Sequence, residues 1–189
     1  MITRAWDPVH DARAAFRAGL EAMCRPGRPV AGLPRAGLAA DPLLDHAAAL
    51  LLALLDPGVG LAVSGDAATR YVGDALLRET GADPAPVGDA DFVLAGAGAQ
   101  GVAGRARHGS ALRPHEGATI VYAADHPPVR RRLRGPGFEA PEEVALPLLP
   151  GELELLAAAA ANPPAGVDAF VVAADGLIAL PRSVLEAAA

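Results

Sequence analysis

Arginine is the main chemical resource of this chain. Arg25 and Arg28 bracket a Pro26-Gly27 pair, Arg17 sits one position off an apolar helical stripe, and Arg182 follows Pro181 at the end of an apolar run. Arg130, Arg132 and Arg134 alternate, so all three would project from one face of a strand. A guanidinium is a rigid fork of donors that matches phosphate, phosphonate or carboxylate oxygens. Arg17, Arg25, Arg28 and Arg182 are therefore candidate anion-binding or interface residues. The competing reading is structural: pairing with the many Asp and Glu, or solvation along an edge strand, where charge also discourages edge-to-edge pairing.

Other residue types exclude chemistry more sharply than they suggest it. All sixteen basic residues are arginine, and there is no lysine. A Schiff base needs a neutral primary amine, so pyridoxal phosphate cannot be held here in the usual covalent way, and a Walker A lysine is impossible. The single cysteine, Cys24, can neither ligate a four-iron cluster alone nor close an internal disulfide. Its place at a helix end suggests a small buried residue. Five histidines, His10, His46, His108, His115 and His126, lack the i, i+4 spacing with a carboxylate that marks a helical zinc site. A metal site or a Ser-His-Asp triad assembled in space stays open at this point, although no G-x-S-x-G elbow announces the latter. Gly96, Gly98 and Gly101 match G-x-G-x-x-G directly after an apolar run, the right entry for a dinucleotide fingerprint. The exit is wrong, because Gly101 and Gly104 interrupt the segment that should become the phosphate-facing helix. No catalytic, cofactor-binding or metal-ligating residue is assigned.

Positioning these residues falls to a chain of 189 residues, read as one α/β domain over residues 1–189 that buries roughly 70% of its unfolded surface. Aromatics make up only 4%, so the core is aliphatic. A net charge of -6 argues against nonspecific binding to nucleic acid or to anionic membrane. The longest apolar run, Ala47 to Leu55, is too short to span a bilayer, and Met1 to Asp7 has no signal-peptide core; a cytoplasmic location is expected.

Asp7-Pro8 reads as an N-cap with proline at the first helical position, and Ala12, Ala15, Phe16, Gly19, Leu20 and Met23 form the stripe of the helix that Pro26-Gly27 ends. Asp41-Pro42 repeats the start signal for a second helix, apolar on most sides and hence central. Gly60 to Val63 reads as a strand, followed by a third helix ending at Gly81, and then by a strand from Asp91 to Ala95. Ala118 to Ala123 and Val129 to Arg134 are expected to pair as a hairpin across a short Pro-containing link. Glu152 to Ala161 reads as a helix, and VVAA-DG-LIAL as a hairpin turning at Asp175-Gly176. Hairpins after an alternating first half imply a mixed sheet covered by helices.

Four segments occur in order: FRAGLEAMCRPGRPV (Phe16 to Val30), GSALRPHEGAT (Gly109 to Thr119), LRGPG (Leu133 to Gly137) and GVDAFVVAADGLIALPRS (Gly166 to Ser183). Their order and spacing resemble the PhnH family, a subunit of the bacterial carbon-phosphorus lyase core that breaks down phosphonates. Phe16, Arg17, Met23, Pro26 and Gly27 match the first pattern; Gly109, Pro114, Gly117, Ala118 and Thr119 the second; Gly135, Pro136 and Gly137 the third; Gly166, Asp168, Pro181 and Arg182 the fourth. His115, Glu116 and Val184 depart from it. The resemblance implies an α/β/α sandwich related to the pyridoxal-dependent transferase core but without the cofactor site. It also implies no cofactor, a noncatalytic assembly role in making ribose 1-alkylphosphonate 5-triphosphate, partners PhnG, PhnI and PhnJ, and a homodimer. It adds Thr119 and Asp168 to the candidate anion-binding or interface residues. The alternatives are a small-molecule transferase or anion-binding protein acting on phosphorylated sugars, and a dinucleotide-binding module.

Overall fold

The computed structural model describes residues 6–123 and 126–187. Most of the Met1 to Asp7 stretch, and residues 124–125 of the link expected to close a hairpin, lie outside the described residues.

The first three helices form in the segments expected, although the first starts at His10 with Val9 as its N-cap, two residues later than Asp7-Pro8 implies. In α1 (His10–Cys24) the preceding turn is closed by Asp7, whose carboxylate accepts the N–H groups of Val9 and His10 at 2.9 Å each. Asp41 caps α2 (Pro42–Leu52), accepting from Leu43 and Leu44, and this helix is buried along most of its length, as its all-round apolarity requires. Asp66 caps α3 (Ala67–Thr80), which ends on Gly81 at φ 72°.

Strands β1 (Gly60–Ser64), β2 (Asp83–Pro84), β3 (Phe92–Ala95), β4 (Thr119–Ala123), β7 (Asp168–Ala173) and β8 (Gly176–Leu180) make a six-stranded sheet in the order β2-β1-β3-β4-β7-β8. All its pairings are parallel except β7 with β8. Side chains alternate across it. Leu61, Leu94, Val121, Phe170 and Leu177 face α1 to α3, whereas Ala62, Val93, Ile120, Val171 and Ile178 face the other side. That second side is covered by the one-turn α4 (Val102–Arg105), by α5 (Pro150–Ala160) and by a three-stranded antiparallel sheet, β5 (Val129–Arg134), β6 (Glu142–Leu146) and β9 (Leu185–Glu186), in the order β6-β5-β9. The molecule is thus α/β with a mixed main sheet between two covering layers.

Four sequence expectations are corrected here. The segments Ala118 to Ala123 and Val129 to Arg134 do not form a hairpin. Ile120, Val121 and Tyr122 are buried on both faces and lie inside the parallel sheet, whereas β5 keeps one face in solvent and belongs to the small sheet. β5 is also that sheet's central strand, not an edge; Arg130, Arg132 and Arg134 nonetheless share its exposed face as the alternation requires. The last hairpin forms, but Ala173 pairs with Gly176, so the turn is Ala174-Asp175, one residue earlier than expected. Finally, α1 buries Ala15, Ala18, Gly19 and Ala22, leaving Phe16 and Leu20 about half exposed. A side chain at Gly19 would place its Cβ 3.2 Å from Leu50 Cδ1. The approach of α1 to α2 admits only small residues, so the bulkier flank turns outward.

The four family-like segments pack on one another in two junctions. Gly27, at φ 76°, donates its N–H to Ala179 O at 3.0 Å, and Val30 exchanges 2.9 Å bonds with Leu177, which closes the β8 edge of the main sheet. A Cβ at Gly137 would lie 2.5 Å from Pro26 Cδ, so the third segment seats on the first. Gly117 of the second segment is similarly hemmed in by Gly166 O and the Arg182 guanidinium of the fourth.

Candidate functional site

Three places gather the polar side chains of interest: the Arg182 junction, the carboxyl ends of the parallel strands, and the outer side of α1. At the first, the Arg182 backbone N–H donates to Asp168 Oδ1 at 2.8 Å and its Nε to Asp168 Oδ2 at 3.1 Å. Nη2 also bonds Asp168, and the remaining donors reach the carbonyls of Pro114 and Gly117. Thr119 stands opposite Asp168 in the β4–β7 register, and its N–H donates to Asp91 O. The structure thus places Arg182, a candidate anion-binding or interface residue, in a partly buried internal junction. Its fork is spent on tying β7 and β8 to the 3-10 turn Pro114–Glu116, and Asp168 is its partner.

The strand order reverses direction between β1 and β3, the position where open α/β sheets place ligand crevices. A cleft of about 210 Å³ lies there, lined by Asp41, Asp66, Thr69, Gly96 to Gly98 and His126. Asp66 accepts both the N–H and the hydroxyl of Thr69, and these bonds, the hydroxyl's first, hold its carboxyl below the usual range. Beneath the glycine loop Glu152 is buried. It accepts from Val102 N at 2.9 Å, Ala103 N at 3.2 Å and Tyr122 Oη at 2.8 Å. Burial and then the Glu152 charge push the Tyr122 phenol far above its ordinary value. The amides at the start of α4, where the pyrophosphate of a dinucleotide would sit, thus already bond to the protein's own carboxylate. The G-x-G-x-x-G match makes a tight turn and leaves no anion cradle. No spacing rule flags Glu152, because its partners lie 30 to 50 residues away in sequence.

Along α1, Val9, Phe16 and Leu20 are 69%, 51% and 56% exposed. Positions 9, 16 and 20 fall on one helical stripe opposite the buried alanines, so α1 is apolar on two sides. Arg25 pairs with Glu21 at 3.2 Å and Arg28 with Glu142 at 2.9 Å, both on the surface. Arg17 forms no ion pair or side-chain hydrogen bond among the described residues, and neither does Arg13, one turn earlier. Sequence reasoning singled out Arg17 and missed Arg13; its i, i+4 spacing from Arg17 was the available signal. Cys24 is exposed, correcting the expectation of a buried residue, because it sits beyond the stripe of small residues that α1 buries. No group of three or more His, Cys, Asp or Glu side chains suited to a metal ion occurs among the described residues. No helix among them is long and apolar enough to cross a membrane.

The family model described as "Bacterial phosphonate metabolism protein (PhnH)" matches residues 3–185, and the chain belongs to that family. No curated protein matches the chain significantly.

Proposed function

We propose that this PhnH-family chain is a noncatalytic assembly subunit of the carbon-phosphorus lyase core, a cytoplasmic complex with PhnG, PhnI and PhnJ, acting where an alkylphosphonate is joined to the ribose of ATP. The observation that carries the reading is the outward stripe of α1. Phe16 and Leu20 belong to the first family-like segment, yet they face water, at a cost that a covering protein surface removes. Four other family-like residues are spent on internal packing: Gly27, Gly117, Gly137 and Arg182 join segments of this chain to one another. A chain without lysine and with one cysteine leaves pyridoxal and iron-sulfur chemistry to other subunits. In the same proposal the main sheet descends from a pyridoxal-dependent transferase core whose cofactor site has been lost, and a second copy of the chain is an alternative cover for α1.

The test is coexpression with PhnG, PhnI and PhnJ from the same source. The chain is expected to co-purify, and a Phe16→Asp/Leu20→Asp variant to fold alone with unchanged circular dichroism but to drop out of the complex. Assembly of the other three subunits without the wild-type chain defeats the reading. Action on phosphorylated sugars is the second reading, supported by Arg13 and Arg17, which have no partner among the described residues. The dinucleotide reading loses support to Glu152, which occupies the amides it would need.

A further inference from the structure

Among the described residues, five arginines form no ion pair and no side-chain hydrogen bond: Arg13, Arg17, Arg78, Arg132 and Arg134. Arg78 is alone on α3. The others fall into two pairs, Arg132 with Arg134 on the exposed face of β5, and Arg13 with Arg17 on α1. The second pair lines a cavity. A groove of about 370 Å³ runs between α1 and the segment Val30–Gly32, with His10, Arg13 and Arg17 on the helix side. Its size falls within the range of small-molecule sites, about 300 to 1,000 Å³.

We propose that this groove binds a phosphoryl-type dianion carrying a small organic group, such as a phosphate monoester or a phosphonate. Residues four apart on a helix stand about 6 Å apart at Cβ, so two long guanidinium side chains can converge on the oxygens of one tetrahedral anion. The other polar side chains that line the groove have partners among the described residues. Glu21 at the far end is paired with Arg25, and His10 shares a 3.0 Å contact with Asp7, so Arg13 and Arg17 leave the groove with a cationic excess. Opposite them the wall is apolar and unobstructed: Val30 and Ala31 line it, and nothing lies within 4 Å of where a Cβ on Gly32 would point. An anionic head at the arginines would leave its organic part against that wall. The groove lies on the flank of α1 that faces Val30, with Arg13 and Arg17 bordering the Phe16 stripe at i, i+3 spacing. The inference goes beyond the assembly role and deepens the phosphorylated-sugar reading, which rests on the same two arginines.

Isothermal titration of the full chain with ribose 5-phosphate, methylphosphonate, inorganic phosphate and ribose tests it. Saturable binding of the first two is expected, with Kd on the order of 0.1 to 1 mM, and none of ribose. Arg13→Ala/Arg17→Ala should weaken binding by about tenfold or more with an unchanged melting temperature. Arg17→Gln, which keeps the aliphatic stem, should lose a smaller part. Arg132→Ala/Arg134→Ala, at the pair on β5 that does not line this groove, should bind as wild type. Equal loss in both double variants, or no saturable heat up to about 10 mM, overturns the site. Saturation by inorganic phosphate alone overturns the organic-group assignment. Co-purification with PhnG, PhnI and PhnJ is a separate readout, so either proposal can fail without the other.

Discussion

Arg182 binds the carboxylate of Asp168 twice over, through its own backbone N–H at 2.8 Å and through its guanidinium, whose remaining donors hold the carbonyls of Pro114 and Gly117. The pair is about four-fifths buried, so solvent screens it only partly. Removing the guanidinium takes the donors from Asp168 Oδ2 and Gly117 O, whereas Asp168 Oδ1 keeps the Arg182 N–H and Pro114 O the Gly117 N–H. Arg182→Ala is expected to cost about 2 to 4 kcal/mol, lowering the melting temperature by roughly 5 to 12 °C. Arg182→Lys, which keeps the charge and loses the fork, should fall between. An unchanged thermal melt of Arg182→Ala would mean that the junction contributes nothing and would restore Arg182 as a free surface group.

Gly27 is constrained twice. Its φ of 76° is a conformation that a β-branched residue strongly resists, and a Cβ there would come within 2.7 Å of Val144 Cγ1. Gly27→Val should destabilise by about 3 kcal/mol or more and Gly27→Ala by about 1 to 2 kcal/mol, read from urea midpoints. Equal midpoints for Gly27→Val and wild type would contradict the positive φ.

Asp45 is fully buried and accepts the N–H groups of Leu38 at 2.7 Å and Ala39 at 2.9 Å together with the Arg35 guanidinium. Burial alone would raise its carboxyl. The bond from Ala39 and the Arg35 side chain outweigh it, and the net direction is down. A depressed folded value means that the unfolded chain takes up the proton first. The stabilisation is complete above the unfolded value, about pH 4, and is lost as pH falls through the folded one. Asp45→Asn should cost about 1 to 3 kcal/mol at pH 7 and flatten the acid limb of the stability curve. A variant whose acid limb superimposes on that of wild type would show that Asp45 is not a source of the acid sensitivity.

Tyr122 and Glu152 form the fourth test. The chain has two tyrosines, so a Tyr71→Phe background isolates Tyr122. With the folded phenol raised above its unfolded value of about 10, tyrosinate absorbance should appear only as the protein unfolds at high pH. In Glu152→Gln, one acceptor becomes a donor facing Ala103 N–H or the phenol. Stability should fall by about 1 to 2 kcal/mol, with faster amide exchange at Val102 and Ala103. Tyrosinate formed while the far-ultraviolet signal is still native would place Tyr122 in contact with water.

Sequence alone determined what short-range physics controls. Asp7 and Asp41 each accept amides two or three residues ahead, and Gly81 and Gly27 take up the positive φ that a helix stop needs. Those signals act within a few residues and are legible as spacing. Which strand pairs with which is a different kind of fact. β4 and β5 are close in sequence and both strand-like. β4 has two apolar faces and requires burial on both sides, which only the interior of the parallel sheet supplies; β5 has one arginine face and requires solvent. On α1 both flanks are apolar, so periodicity could not choose the inward one. The close approach of Gly19 to Leu50 selected the alanines and turned Phe16 and Leu20 outward. Arg182 carried no local sign of its role, because its partners lie 14 to 68 residues away and meet it only when β4, β7 and β8 stand side by side. Tertiary structure decided these points because the contacts that settle them have long sequence separation, and their energies depend on which faces the rest of the chain has already buried.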